Sequence, residues 1–246
     1  MQLLMNHRSI RKYKDKAVSD ELLQKIIGAG TRASTTGNMQ LYSVVVTRGA
    51  GQKAKIAPLH FKQRPYLEAP VSLTICADVH RFNQWCNYRN ADAAYSNMLW
   101  LINAVTDASL FAQNICLAAE AEDFGICYLG TALYNAEELI DELKLPQGVF
   151  PLTVITLGYP DEHPPLTDRL PLQAVIHQEK YQDYDEARVN ELYAAKETLE
   201  SSKKFVAENK KSNLAQVFTD VRYSRKDSEF FSKKLTATLR KQGFEL

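Results

Sequence analysis

Apolar residues along this chain follow two periods, and the switches between them lay out the elements. Ser19-Asp20-Glu21 reads as a helix start: a hydroxyl cap followed by acids in the first turn, where they complement the helix dipole. Leu22, Leu23, Ile26 and Ile27 then share one face at helical spacing. Residues 41–48 are short, β-branched and closed by Gly49, which predicts a buried strand; residues 71–78, entered through Pro70, predict a second. Between Asp92 and Glu122 apolar residues occupy nearly every side, which predicts one long or two broken helices inside the core. Gly125 ends that stretch. A third strand follows at 126–130, a helix at 135–143 stopped before Pro146, and a fourth strand at 150–158. A Pro-rich loop then leads into a charged, mostly helical tail from about Asp185. No repeat or low-complexity linker divides the chain, so the pattern predicts one α+β domain over 1–246, with a helical C-terminal extension over about 175–246.

Composition changes this picture little. At 246 residues, 45% hydrophobic and 24% charged, the chain is an ordinary globular one, and its net charge of +1 names no partner. The distribution of charge says more. Residues 1–16 carry five cations against one acid and residues 201–246 eleven against five, leaving the body between them at −9. Basic ends suit nucleic acid or, equally, solvated helix faces, and the second is the plainer reading. No uninterrupted apolar run approaches the length of a membrane span. The N-terminus places its charges after a short apolar run, the reverse of a secretory signal, so a cytoplasmic protein is expected. Cys76, Cys86, Cys116 and Cys127 form no Cys-x-x-Cys clip, and three of them sit in apolar runs; they are expected to be reduced and structural.

Familiar catalytic patterns are missing. There is no His-Glu-x-x-His, P-loop or Gly-x-Ser-x-Gly, and the five histidines lack metal-ligand spacing, so no metal is expected. Gly28-Ala-Gly30-Thr-Arg-Ala33 matches a dinucleotide fingerprint in letters only. It follows a helix rather than a strand, so both glycines read as a helix C-terminus. One cluster carries chemistry: His7-Arg8-Ser9-Ile10-Arg11 sets three cationic or cationisable groups and a hydroxyl within five residues. That set suits a phosphate, although on its own it also fits a solvated basic turn.

Set in order along the chain, further segments join that cluster. They are Ser34-Thr35-Thr36-Gly37-Asn38-Met39-Gln40 before the first strand, Gln63 before the second, Tyr128-Leu129-Gly130-Thr131 after the buried helix, and Leu157-Gly158-Tyr159-Pro160 followed by Pro171. Over about residues 6–185 this order resembles the nitroreductase family, most of all its NADPH-dependent, oxygen-insensitive nitroreductase A and flavin reductase branch. The resemblance implies a central, mostly antiparallel sheet of four to five strands flanked by helices, in an entwined homodimer with FMN at each of two interface sites. It implies that His7, Ser9 and Arg169 hold the FMN phosphate, that Arg8 belongs to the same cofactor site and that Arg11 lies at the pyrimidine end of the ring. Gln63 would bond the polar ring edge, Ser34, Thr35, Thr36 and Gln40 would reach in from the other subunit, and Tyr128, Gly130 and Thr131 would form a wall. NADPH would give a hydride to flavin N5 and a nitroaromatic, quinone or flavin acceptor would take it in a ping-pong cycle, with no protein nucleophile or general acid. Arg222 and Arg225 are the candidates for the NADPH 2′-phosphate. A non-enzymatic flavin or nucleotide store would use the same pocket. The chain departs from the branch at Thr167-Asp168-Arg169, where one cation is replaced and an acid added, at Thr131, and at 35–38.

Overall fold

The computed structural model describes residues 1–246, which divide into two compact units: Met1–Pro165 with Lys233–Leu246, and Leu166–Ser232. The first unit is built on four strands, β1 (Tyr42–Thr47), β2 (Val71–Asp78), β3 (Gly125–Leu129) and β4 (Val149–Gly158), in the order β1-β2-β4-β3 with every pairing antiparallel. Val44 faces Ile75, Leu73 faces Ile155 and Tyr128 faces Ile155 across the ladders. All eight residues of the inner strand β2 are buried, the polar Ser72, Thr74 and Asp78 among them.

Helices α1 (Gln2–Met5), α2 (Asp20–Gly30), α3 (Ala50–Ile56), α4 (Arg64–Glu68), α5 (His80–Asn87), α6 (Met98–Ala121) and α7 (Ala136–Leu143) complete this unit. On one sheet face α2 and α6 lay Leu23, Ile26, Phe111 and Ile115 against Leu73, Ile75, Ile126 and Ile155. The alternate residues Cys127, Leu129 and Val154 pack with Ile56, Tyr66 and Leu139. Near the C-terminus Leu235, Leu239 and Phe244 join Leu41, Leu101 and Ala104. Ser19 caps α2 as expected, accepting from Leu22 N at 3.2 Å. The expected strands and the 135–143 helix are present within a residue or two, and the 92–122 stretch is one helix, α6.

α2 ends at Gly30 as expected, without a left-handed cap, since Thr31 is right-handed; a Cβ on Gly30 would stand 2.5 Å from Ile115 Cγ1, so the glycine also serves close approach of α2 to α6. α5 (HRFNQWCN), not among the expected elements, is mostly polar but carries Phe82, Trp85 and Cys86 at helical spacing. α6 is long and apolar enough to cross a membrane by length and composition, although its apolar runs are broken. In the structure Ala104, Ala108, Phe111, Ala112, Ile115 and Ala119 bury one side of it against the core, while Met98, Leu99, Ile102 and Leu110 remain 48%, 63%, 55% and 43% exposed.

The second unit contains α8 (Glu186–Thr198), α9 (Glu200–Glu208), α10 (Leu214–Val217), a π-helical turn at Phe218–Arg222 and the start of α11 (Arg225–Lys241), whose later turns belong to the first unit. Asp185 and Asn213 cap α8 and α10, accepting from Arg188 N at 2.8 Å and Gln216 N at 3.0 Å. Leu192, Leu214 and Val217 are its buried apolar residues. All four cysteines of the chain are free and buried, and burial pushes Cys76 and Cys116 up to about 12, which leaves them as inert thiols at neutral pH.

Candidate functional site

β3 is an edge strand, and the N-terminal segment attaches to it. Ile10 N donates to Ile126 O at 2.8 Å and Ser9 bridges Ile126 in parallel. The side chain of Ile10 is buried over Gly125, where an added Cβ would stand 2.6 Å from Ile10 Cβ. With Ile10 turned inward, its neighbours Ser9 and Arg11 turn outward by strand alternation. The Arg11 guanidinium is exposed and makes one long bond, to Ser9 O at 3.5 Å. His7 is different: its Nδ1–H donates to Glu120 Oε1 at 2.5 Å, and Glu120 Oε2 is buried without a partner. Arg8 is spent on carbonyls, Pro164 O at 2.9 Å and Asn6 O at 2.8 Å. The Glu162 carboxylate accepts the backbone N–H groups of Arg11 (2.5 Å) and Lys12 (3.1 Å).

A second segment is fastened to the far end of β3. Thr131 Oγ1 bonds His60 Nδ1 at 2.7 Å, and Asn135 Nδ2 donates to Leu59 O at 2.6 Å, so 59–63 lies along 131–135. His60 is fully buried, and burial pushes its imidazole down to about 4, so it is neutral. Gln63 follows two left-handed residues, Phe61 and Lys62, and stands exposed at the start of α4. Tyr128 is partly exposed, its phenol pushed up by burial and by the neighbouring Cys116. Gly130 is exposed, and a Cβ there would meet nothing within 4 Å. Residues 7–11, 59–63 and 128–131, far apart in sequence, are therefore gathered on one sheet edge.

The 34–40 loop is held elsewhere, by a carboxylate that the sequence reading passed over. Asp107, 1% exposed in the middle of α6, accepts Thr35 Oγ1–H (2.5 Å), Thr36 N–H (2.8 Å), Thr36 Oγ1–H (3.1 Å) and Leu41 N–H (3.2 Å). Thr35 Oγ1 also accepts from Gln40 N at 2.9 Å. These bonds fix a loop in which Gly37, Asn38 and Gln40 are all left-handed, a conformation that costs a non-glycine residue about 1 kcal/mol or more. Ser34 is exposed beside it. Asp107 lies thirteen residues before Glu120 on α6, about 20 Å at the helical rise. Within one chain, the loop and the His7–Arg11 cluster are thus kept apart.

In the second unit Arg169 is exposed and folds Nη1 onto Thr167 O (3.4 Å) and Asp168 O (2.9 Å). Asp168 is paired with Lys196 Nζ at 2.7 Å, which holds its carboxyl below the usual range and neutralises the acid that departs from the branch pattern. Arg222 lies over the rings of Phe205 (4.9 Å) and Phe218 (5.7 Å) and lines a cavity of about 300 Å³ with Lys196, Ser201 and Ser202. Arg225 does not line it; its side chain is 92% exposed and paired with Glu229 at 2.7 Å.

Asp107, Glu120, His60 and Lys196 were missed because each acts through a partner distant in sequence. Asp107 leaves a local trace, as an acid in the middle of the most apolar helix, and Glu120 a weaker one near its end.

The profile of the nitroreductase family matches residues 4–159. The chain is 34% identical over 186 residues to the oxygen-insensitive NADPH nitroreductase of Salmonella typhimurium, covering 76% of each sequence. It is 36% identical over 186 residues to the FMN reductase [NAD(P)H] of Bacillus subtilis, covering 74% of each. A crystal structure from Bacteroides fragilis NCTC 9343, provisionally described as an oxidoreductase, superimposes over 100% of both chains with a TM-score of 0.98 and 50% identity.

Proposed function

The chain belongs to the nitroreductase family, and from that premise we propose that it is an FMN-dependent NAD(P)H oxidoreductase working as a homodimer. The observation that carries the reading is the sheet edge on which 7–11, 59–63 and 128–131 meet. FMN fits what stands there. Arg11 offers a guanidinium with nearly all its donors free, Ser9 a hydroxyl on the same outward face, and His7 a ring oriented through Nδ1 whose Nε2–H, in the doubly protonated ring, can donate to an anion. Gly130, with open space above its Cα, allows a planar ring to approach backbone flanked by Tyr128 and Thr131, and Gln63 supplies an amide for the polar ring edge. Arg8 is largely occupied and contributes positive potential; Arg169 is proposed for the phosphate. When bound, FMN supplies hydride acceptance from NAD(P)H and hydride delivery to a nitroaromatic, quinone or flavin acceptor. The protein binds, orients and shields, and Arg11 stabilises negative charge at the pyrimidine end. Relatives named as reductases favour this enzyme over a passive flavin store.

Two observations support the dimer. The 34–40 loop is about 20 Å along α6 from the His7 clamp, so it serves a site on the other subunit. There Ser34 and the Gln40 amide make contacts while Thr35 and Thr36, their hydroxyl protons committed to Asp107, set the loop's shape. The exposed apolar side of α6 (Met98, Leu99, Ile102, Leu110) needs cover, and an obligate interface would bury more than about 2,000 Å². The second unit is read as the helical excursion of a single-domain enzyme, with its Arg222 cavity taking the NADPH 2′-phosphate and Arg225 at most assisting.

Titrating FMN into stripped protein tests the site. Loss of one charge-assisted bond costs about 1.5–3 kcal/mol, so Arg11→Ala is expected to raise Kd for FMN ten- to a hundredfold. Sedimentation of the same preparation is expected to give a dimer. Equal FMN affinity in the variant, or a monomer that still holds FMN, would count against this reading.

A further inference from the structure

Glu120 stands where an acid is poorly tolerated. It lies in the last turn of α6, beside the buried Ala119, and the carbonyl end of a helix repels negative charge. Its side chain is only 11% exposed, and of its two oxygens Oε2 is buried with no hydrogen-bond partner. No lysine or arginine serves it; Lys25, at the same end of the helix, pairs with Glu122 at 2.6 Å. The whole charge rests on one contact, His7 Nδ1 at 2.5 Å from Oε1. A neutral ring compensates such a carboxylate poorly. An imidazolium compensates it well, because its charge offsets both the burial and the helix end. The second ring proton then sits on Nε2. No group of the chain accepts from Nε2, and His7 keeps 32% of its side chain exposed, so this donor is open to a ligand. His60 is the opposite case: its Nε2 is sealed in the core without a partner, and its ring is neutral.

We propose that Glu120 is a positioning residue for phosphate recognition: through Nδ1 it fixes the His7 ring and its second proton, and the Nε2–H so presented selects a phosphorylated flavin over the same flavin without phosphate. The inference deepens the flavin reading and rests on it. Glu120 itself touches no part of the cofactor. Its effect passes through His7, so removing His7 also removes the effect of Glu120. The effect is confined to the phosphate, because riboflavin carries the same ring system and ribityl chain but no anion for Nε2–H to hold.

Titrating FMN and riboflavin separately into the stripped full chain, followed by flavin fluorescence, tests it in four proteins: wild type, Glu120→Met, His7→Ala and the double variant. Methionine fills the space of the glutamate without its carboxylate. Glu120→Met is expected to raise Kd for FMN about tenfold or more and to leave Kd for riboflavin within about twofold. In the His7→Ala background the same substitution is expected to change FMN affinity by less than about twofold. Glu120→Gln, which keeps an acceptor for Nδ1 but not the charge, repeats the test should the methionine variant fail to fold, with the same outcome expected. Equal losses for both flavins, an unchanged Kd for FMN, or an undiminished loss in the His7→Ala background would overturn the proposal and leave the flavin reading in place. Wild-type protein that binds neither flavin would overturn both.

Discussion

Asp107 shows how much of a loop can rest on one buried side chain. Its two oxygens collect four donors from Thr35, Thr36 and Leu41 and hold three left-handed residues in place. Asp107→Asn turns one acceptor into a donor facing donors. It is expected to cost about 2–4 kcal/mol, read as a fall in the urea midpoint, and to loosen FMN as the loop relaxes; a loss under about 0.5 kcal/mol would show that the loop holds itself. The two candidate nucleotide arginines are told apart by their surroundings. Arg222 shares a cavity with Lys196, Ser201 and Ser202, and Arg225 pairs with Glu229 in open solvent. The ratio of kcat/KM for NADPH over NADH is expected to fall about tenfold or more in Arg222→Ala and to stay within about twofold in Arg225→Ala. An unchanged ratio in Arg222→Ala would remove that residue from nucleotide binding.

The packing of α2 on α6 turns on glycines that look alike in sequence. Gly30 is buried, and a Cβ there would collide with Ile115, so Gly30→Ala is expected to destabilise by about 1–3 kcal/mol. Gly28 is exposed, within the same helix, and a Cβ would meet nothing within 4 Å; Gly28→Ala is expected to stabilise by about 0.4–1 kcal/mol. Thermal unfolding of the two variants distinguishes them, and shifts of the same sign would mean that the helix contact is misjudged. The strands were legible because β-branched runs bounded by Gly and Pro have few other homes, and α2 was legible from Ser19 and its two acids. α3 and α5 were not: AGQKAKI carries no apolar stripe, and in HRFNQWCN the stripe is only Phe82, Trp85 and Cys86, too short to stand out. The 7–11 cluster could be found from its own composition, whereas the clamps behind it, Glu120 for His7 and Asp107 for the loop, depend on contacts more than seventy residues away.

The full assembly joins these parts. The chain alone holds a cationic sheet edge, with an Asp107-locked loop about 20 Å away along α6 and an uncovered apolar side on that helix. In the proposed dimer a second copy would supply cover for the apolar side and a loop for each cationic edge. The basic C-terminal region is less uniform than its net +6 suggests: Lys211, Lys234 and Lys241 pair with Asp220, Glu138 and Glu137, so part of that charge is already neutralised within the chain. Most direct of all is to mix the FMN-loaded protein with NADPH without oxygen and follow the yellow absorbance. It is expected to bleach on one equivalent of NADPH, more slowly with NADH, and to return when a quinone or nitroaromatic is added. Protein that holds FMN yet keeps its colour with either nucleotide would contradict the assignment as an oxidoreductase and leave a flavin-binding protein in its place.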